Sequence, residues 1–337
     1  MARAWTKILG RNFMLGISSS EDKLGSGINF MAMGDGRSYR LAWRYLKYAK
    51  KNNFSHIYCR EEKMLLFMFF YNKIFFRLPI TFCYELHHLV YTRGLWRFFL
   101  LNRVHKIVSI TSAMKNILVR SGYTEERILV SPDAVDPSLF DVKLTKDEAR
   151  RKLNLPLNKK IVIYTGDIVE PWKGVGTLYE ASKNFGDEYL FLLVGSKPHH
   201  VEYFRSIYPD RPNFLLVGHK PHKEIPLYLK AADIAVLPNS GKDEISRIST
   251  SPMKMFEYMA AGLPIVASNI SSIREILDEK SAVLVEPDNP EALANGIRKI
   301  FDDKFLLNSL SDQVKRNIFL HTWDNRVKNV TNFIARH

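Results

Sequence analysis

The sequence predicts an α/β protein in two domains, with a doubly wound parallel sheet in its second half. Three observations predict it. Residues beyond 160 alternate short β-branched apolar runs with helical patterns, placing strands near 161–166, 190–195, 213–218, 234–238, 264–268 and 282–286. A chain of 337 residues with 46% hydrophobic and 25% charged side chains fits two globular cores better than one. The stretch 249–269, STSPMKMFEYMAAGLPIVASN, combines a helix start, a helix stop and a buried strand.

In chain order, KILGRNFMLGISSS reads as a strand and turn, without a clean first strand. GSG at 25–27 and GDG at 34–36 read as turns rather than phosphate loops, because neither follows a convincing strand. YRLAWRYLKYAKK spaces aromatic and basic residues helically, and HIYCRE follows as a short strand. KMLLFMFFYNKIFFR is a helix apolar almost all round and too short to span a bilayer. It is either core, the favoured reading, or membrane-facing through Lys63, Lys73 and Arg77. PITFCYELHH is a strand ending in Glu85, His87 and His88, at the end where open α/β sheets bind ligands.

GLWRFFLLNRV is a basic aromatic helix, KIVSIT a strand, and SAMKNILVRSG a helix opened by Ser112. ILVSPDAVDPSLF leaves the first domain, and TKDEARRKLNLP is a charged linker helix. The boundaries expected are 1–141 for the first domain, 142–315 for the second, and 316–337 for a terminal helical segment packing back towards the first. In the second domain, Lys173 and Gly174 lie in the βα loop YTGDIVEPWKGVGTL, where a lysine can meet phosphate or solvent.

The charge is unevenly placed. Of a net +14, residues 1–120 hold 20 Lys and Arg against 6 Asp and Glu, while the remainder holds 29 of each. A basic domain beside a neutral one predicts an anionic surface as partner, membrane phosphate or nucleic acid. Two isolated cysteines, Cys59 and Cys83, exclude a disulfide framework and fit a reducing compartment. With no signal-like start and no run of about 18 apolar residues, the chain reads as cytoplasmic.

Within 249–269, Ser251 suits the N-cap and Pro252 the first helical position. Met253, Phe256, Met259 and Ala260 share an apolar face, with Lys254, Glu257 and Tyr258 elsewhere; Gly262 and Pro264 end the helix. Lys254 stands in the first turn, where the helix dipole disfavours a cation. Either a bound anion reverses that sign or Glu257 pairs with it at i,i+3.

These residues resemble glycosyltransferase family 4, retaining nucleotide-sugar-dependent enzymes of the GT-B fold with two facing Rossmann-like domains. The resemblance runs over about residues 50–335, through YELHH, KIVSITSAMKNIL, YTGDIVEPWKGVGTL, YLKAADIAVLPNS and HTWDNRV, and is most specific in SPMKMFEYMAAGLPIVAS. It implies that Glu257 holds the donor ribose hydroxyls and Lys173 faces the diphosphate. Backbone N–H groups around Ser251 and Met253 would cradle phosphate or sugar, with Lys254 beside them, and His87 would contact the transferred sugar. Gly166, Ser249 and Thr250 complete the implied donor site. Catalytic roles fall on His87, Lys173 and Glu257, and no metal ligand is expected.

Three positions depart from the family pattern. Ser249 stands where a second glutamate is usual, with Glu244 as a substitute, and Asp167 stands where a basic residue often follows the glycine. The opening strand, glycine loop and helix are missing or unreadable, which predicts a short, divergent or truncated first domain.

The expected function is transfer of a hexose-type sugar from a nucleoside diphosphate sugar to a lipid-linked or saccharide acceptor, in surface polysaccharide or glycolipid synthesis. No cofactor or metal is expected. The basic first domain adds an anionic membrane as partner, with peripheral binding at the inner face of the cytoplasmic membrane. Two rivals remain: an inactive GT-B-like scaffold, motivated by Ser249 and the short N-terminus, and a nucleic-acid-binding protein, motivated by the basic aromatic helices but lacking any recognised module.

Overall fold

The computed structural model describes residues 1–17, 30–32, 37–87 and 103–336. GSG, GDG, His88 and most of the predicted helix GLWRFFLLNRV lie outside the described residues. The chain forms two compact units, one of residues 1–132 with 323–337, the other of residues 133–322.

The first unit contains a parallel sheet in the order β3-β4-β5-β6, from His56–Cys59, Thr81–Leu86, Lys106–Ser109 and Ile128–Val130. A separate parallel pair joins β1 (Leu15–Ile17) to β2 (Phe30–Ala32). Strands are therefore present where the sequence showed no clean one; at three residues each they are too short to register as a period. KIL, read as strand, instead ends a helix, Ala2–Leu9. Its Trp5 is buried with Cys83, Val108, Val327 and Val330, so the terminal helix Trp323–Ala335 is core to this unit. Ile128–Val130, read as an exit, is the fourth strand. The helix predicted from Ser112 is capped one residue earlier, by Thr111 accepting from the Met114 N–H at 3.2 Å.

The second unit is one six-stranded parallel sheet, ordered β12-β11-β10-β7-β8-β9. All six strands expected from sequence are present: β7 Lys160–Thr165, β8 Tyr189–Val194, β9 Phe214–Gly218, β10 Ile234–Leu237, β11 Ile265–Ser268 and β12 Val283–Val285. Along β7, Ile161 and Ile163 enter one core cluster while Val162 and Tyr164 enter the other, so both faces of the sheet are buried. The first strand of this unit, β7, lies between β10 and β8, so the winding reverses there and opens a crevice at the strands' C-terminal ends.

The expected boundaries at 141 and 315 both fall inside this unit. The Val135 N–H donates to the His321 carbonyl at 3.0 Å, and Phe140 and Ile318 join the core. The predicted linker helix also belongs here. Thr145 and Glu148 form a capping box at its start, and Arg150, 4% exposed, donates to Asp233 at 2.7 Å and to three backbone carbonyls.

Candidate functional site

The crevice at the reversal holds a cavity of about 490 Å³ between the ends of β7, β8 and β10 and the start of the helix Met253–Ala260. Its first wall is the loop after β7. Gly174 has φ 68°, and a Cβ there would sit 1.8 Å from the Pro238 carbonyl oxygen, so only glycine lets this loop lie on the end of β10. The Ser240 N–H donates to the Trp172 carbonyl at 2.9 Å, and the turn Pro171–Lys173 presents Lys173 to the cavity.

The second wall is the helix. Tyr258 ties it to β7 by accepting from the Thr165 N–H at 2.7 Å. Pro252, not Ser251, occupies the N-cap, and the Ser251 hydroxyl instead accepts from the Asp133 N–H at 2.9 Å. The expected single apolar face is corrected as well. Met255, Phe256, Glu257, Tyr258 and Met259 are all buried, because the helix is wrapped by the sheet and its neighbours, whereas Met253 is 48% exposed. Its first turn, Pro252, Met253 and Lys254, lines the cavity.

Lys254 does not pair with Glu257. Its Nζ donates to the Tyr164 hydroxyl at 2.7 Å and lies 3.9 Å from that ring's centroid. The side chain as a whole is half-buried against the cavity, but protein closes around the ammonium. Burial, reinforced by the nearby Lys173 charge and opposed by Glu257 and Asp167, pulls its pKa down to about 7. Glu257, 8% exposed, takes His222 as partner, Nε2 to Oε1 at 2.9 Å. A second lysine without a carboxylate contact at this place is what a site for an anion requires.

Gly166, Lys173, Thr250, Ser251, Met253, Lys254 and Glu257 thus all line one cavity. Ser249 does not: it closes the short helix Glu244–Ile248, its N–H bonded to the Ile245 carbonyl at 3.0 Å. Its place in the donor site, implied by the resemblance, gains no support from this cavity. Glu244 is exposed on that helix and outside the cavity, so it does not substitute. Asp167 turns to His200 Nδ1 at 2.8 Å; burial raises its pKa, but His200, the Val169 N–H and Lys173 hold it below the usual carboxylate value.

Sequence reasoning missed Trp172, His219, Lys220, His222 and Asn239 in the lining. Asn239 is 2% exposed and its Oδ1 has no hydrogen-bond partner, an acceptor left for something in the cavity. The signal for it was position: Asn239 follows β10 by two residues, at a strand end.

His87 lies in the other unit, just after β4, with Nε2 3.2 Å from Glu85 Oε1, at ion-pair distance but without hydrogen-bond geometry. The reading of Glu85 as part of a ligand-facing cluster is corrected. It is fully buried, with Arg60 Nε at 2.5 Å and Arg326 Nη2 at 2.7 Å. Burial would raise its pKa, but His87, Arg326 and Arg60 together hold it far below the usual value. Arg326 also donates to the Pro132 and Ser131 carbonyls, which explains the chemistry of the HTWDNRV stretch.

A doubly wound parallel sheet with two lysines, a glutamate and a helix N-terminus at its switch point is an α/β architecture with a candidate anion site at its strand ends. Residues 145–318, just over half of the chain, match the family Glycosyl transferases group 1, and the chain belongs to that family.

Among curated relatives, an uncharacterized glycosyltransferase of Methanocaldococcus jannaschii is 22% identical over 237 residues, covering 67% of this chain and 59% of its own length. The amylovoran biosynthesis glycosyltransferase AmsK of Erwinia amylovora is 28% identical over 194 residues, covering 56% and 45%. The chain spans about half the length of the curated relatives it matches. Among solved structures, a glycosyltransferase from Rickettsia africae superposes with TM-score 0.81 at 19% identity, covering 98% of this chain and 92% of that one. Anabaena HepE in complex with UDP gives TM-score 0.78 at 17% identity, covering 98% and 94%. The architecture is the GT-B fold, α/β with a main parallel sheet in each unit.

Proposed function

We propose that this protein is a retaining glycosyltransferase that moves a hexose-type sugar from a nucleoside diphosphate sugar to a lipid-linked or saccharide acceptor, in surface polysaccharide or glycolipid synthesis. The observation that carries the proposal is the convergence of Lys173, Lys254, Glu257 and a helix N-terminus on one cavity at the topological switch. Glu257 accepts from the ribose hydroxyls. Lys173, Lys254 and the N–H groups at the start of Met253–Ala260 stabilise the negative charge that grows on the leaving diphosphate, so the step needs no metal. The departing phosphate takes the acceptor proton on the same face, and His87 contacts the transferred sugar. That HepE was solved with UDP supports a uridine donor class, and AmsK supports a polysaccharide acceptor.

The excess of basic residues in the first 120 supports peripheral binding to an anionic membrane at the inner face of the cytoplasmic membrane. Among the described residues no helix is long and apolar enough to cross one.

The test is a thermal-shift panel of UDP, GDP and ADP sugars, followed by mass detection of transfer. A true donor at about 100 times its Kd adds about 2.7 kcal/mol of stability. Glu257→Ala should remove both shift and transfer. A panel with no shift and no transfer would rule the reading out.

A further inference from the structure

The first unit carries a second cavity, of about 570 Å³, at the N-terminal end of β4, the opposite end of that strand from Glu85 and His87. Lys73, Arg77, Arg103 and His105 line it, and among the described residues no carboxylate does. The His105 Nδ1 accepts from the Phe82 N–H at 3.1 Å, so the neutral ring carries its proton on Nε2, as a donor. The Arg103 guanidinium lies over the Phe69 ring at 5.7 Å.

The segment that makes this cavity is specially built. Helix Glu62–Tyr71 widens into the π-helical turn Asn72–Phe76, a form concentrated at functional places. Arg77 ends it with φ 53°, a left-handed conformation that a residue with a Cβ adopts only when its surroundings enforce it. Asn72 enforces it. Buried to 9% exposure, it donates through Nδ2 to the Leu78 carbonyl and accepts through Oδ1 from the Leu78 N–H, both at 2.9 Å. The result holds Lys73 and Arg77 on one cavity.

The outer side of the same turn is apolar. Phe70, Ile74 and Phe75 are 48, 56 and 60% exposed. Trp43, on the neighbouring helix Ser38–Lys51, packs edge-on against Phe75 with ring centroids 5.4 Å apart and is itself 40% exposed. Single exposed apolar residues are ordinary, but four around one turn make a patch. Arg40, Lys47 and Lys50 are exposed on the same helix as Trp43. An apolar patch beside a carboxylate-free basic cavity has the complementarity of a bilayer interface, acyl chains for one and phosphates for the other.

We propose that this cavity binds the headgroup phosphate of an anionic phospholipid while Phe70, Ile74 and Phe75 enter the bilayer interface. The proposal rests on the membrane part of the function above and names its site. Donor binding does not use this cavity, so the transfer reading and this one fail separately.

The test is co-sedimentation of the full chain with vesicles of phosphatidylcholine alone or mixed with phosphatidate, at about 150 mM salt. The native protein should bind only the anionic vesicles. The triple substitution Lys73→Gln, Arg77→Gln, Arg103→Gln should weaken that binding by about tenfold or more, with an unchanged circular-dichroism spectrum and melting temperature as evidence of folding. Removing the same charge from the second unit, by Lys280→Gln, Lys299→Gln, Lys304→Gln at three exposed positions, should weaken it by less than about threefold. Ile74→Ser with Phe75→Ser should also weaken it.

Equal losses from the two triple variants would mean diffuse attraction and overturn the cavity's role. No binding to phosphatidate vesicles overturns the proposal, as does retention by nucleic acid in their place. Inorganic phosphate shifting the His105 imidazole resonance in a protein that ignores vesicles would make the ligand a soluble phosphate, and overturns the lipid assignment.

Discussion

The chain encloses a charge in each of its two units and treats the two oppositely. Glu85, fully buried in the first, is met by Arg60 and Arg326 and keeps its charge. Lys254, in the second, is met by a tyrosine hydroxyl and ring, with another lysine nearby, and its pKa falls to about 7. A satisfied buried charge is a structural part; breaking it leaves an uncompensated ion. An enclosed cation with no carboxylate contact, facing a cavity, is a charge held for a ligand. The difference predicts that damage at Glu85 will be read in stability and damage at Lys254 in binding and turnover.

The largest effect is expected at Arg326→Met. It removes one guanidinium from Glu85 and empties two backbone carbonyls, and should cost about 3–5 kcal/mol in denaturant unfolding. A loss under about 1 kcal/mol, the scale of a surface pair, would break the comparison by making Glu85 as unsettled as Lys254. The contribution of Glu85 is present at and above the ordinary carboxylate range and is lost as pH falls through its depressed folded pKa, so it should persist in mild acid.

Lys254→Met comes next. It keeps the length of the side chain, removes the ammonium, and should lower sugar transfer by about 10²–10³-fold, the scale of losing one preorganised donor to a developing anion. Thermal stability should hold or rise, since an apolar stem replaces a poorly solvated cation. Equal losses of stability and turnover would show that Lys254 serves the fold.

How much of this was legible follows from distance along the chain. The six strands of the second unit could be read because each is a continuous apolar run, and the four central ones, β7, β8, β10 and β11, are buried on both faces. Lys173, Lys254 and Glu257 could be read because their motif is local, a loop and one helix turn. The i,i+3 alternative for Lys254 was equally local and failed on a residue 90 positions away, Tyr164, which helical spacing cannot see. Arg326 and Glu85 are 241 positions apart, so neither stretch betrays the pair. The short β1 and β2 and the π-helical turn at Asn72 have no period to detect. Ser249 came only from its place in the family motif, and outside the cavity lining it closes one helix before the chain turns into the next.

A pH series sharpens the contrast further. The folded pKa of Lys254 lies below the ordinary 10.5, so between about 7 and 10.5 the unfolded chain binds a proton that the folded chain lacks, and stability should rise with pH across that window. Diphosphate binding recovers the proton. UDP affinity should therefore weaken by up to about tenfold per unit above pH 7, with proton uptake seen by calorimetry in two buffers. Lys254→Met should flatten this dependence. A flat profile in the native protein would mean that Lys254 is neutral in the complex too.

The smallest effect is expected at His222, which holds Glu257 at 2.9 Å from a 3-10 turn at the cavity mouth. If Glu257 accepts from ribose hydroxyls, His222 positions that carboxylate rather than touching the reacting atoms. His222→Ala should then weaken UDP binding by only about five- to tenfold, one hydrogen bond's worth, with little change in the rate of bound donor. The sharper reading is the ratio of Kd values for 2′-deoxy-UDP and UDP. It should be large in the native protein, smaller in His222→Ala, restored in part by His222→Gln, and close to one in Glu257→Ala. A ratio unchanged in Glu257→Ala would detach the ribose from this carboxylate and leave the His222 pair a structural contact, the counterpart in this unit of the one at Glu85.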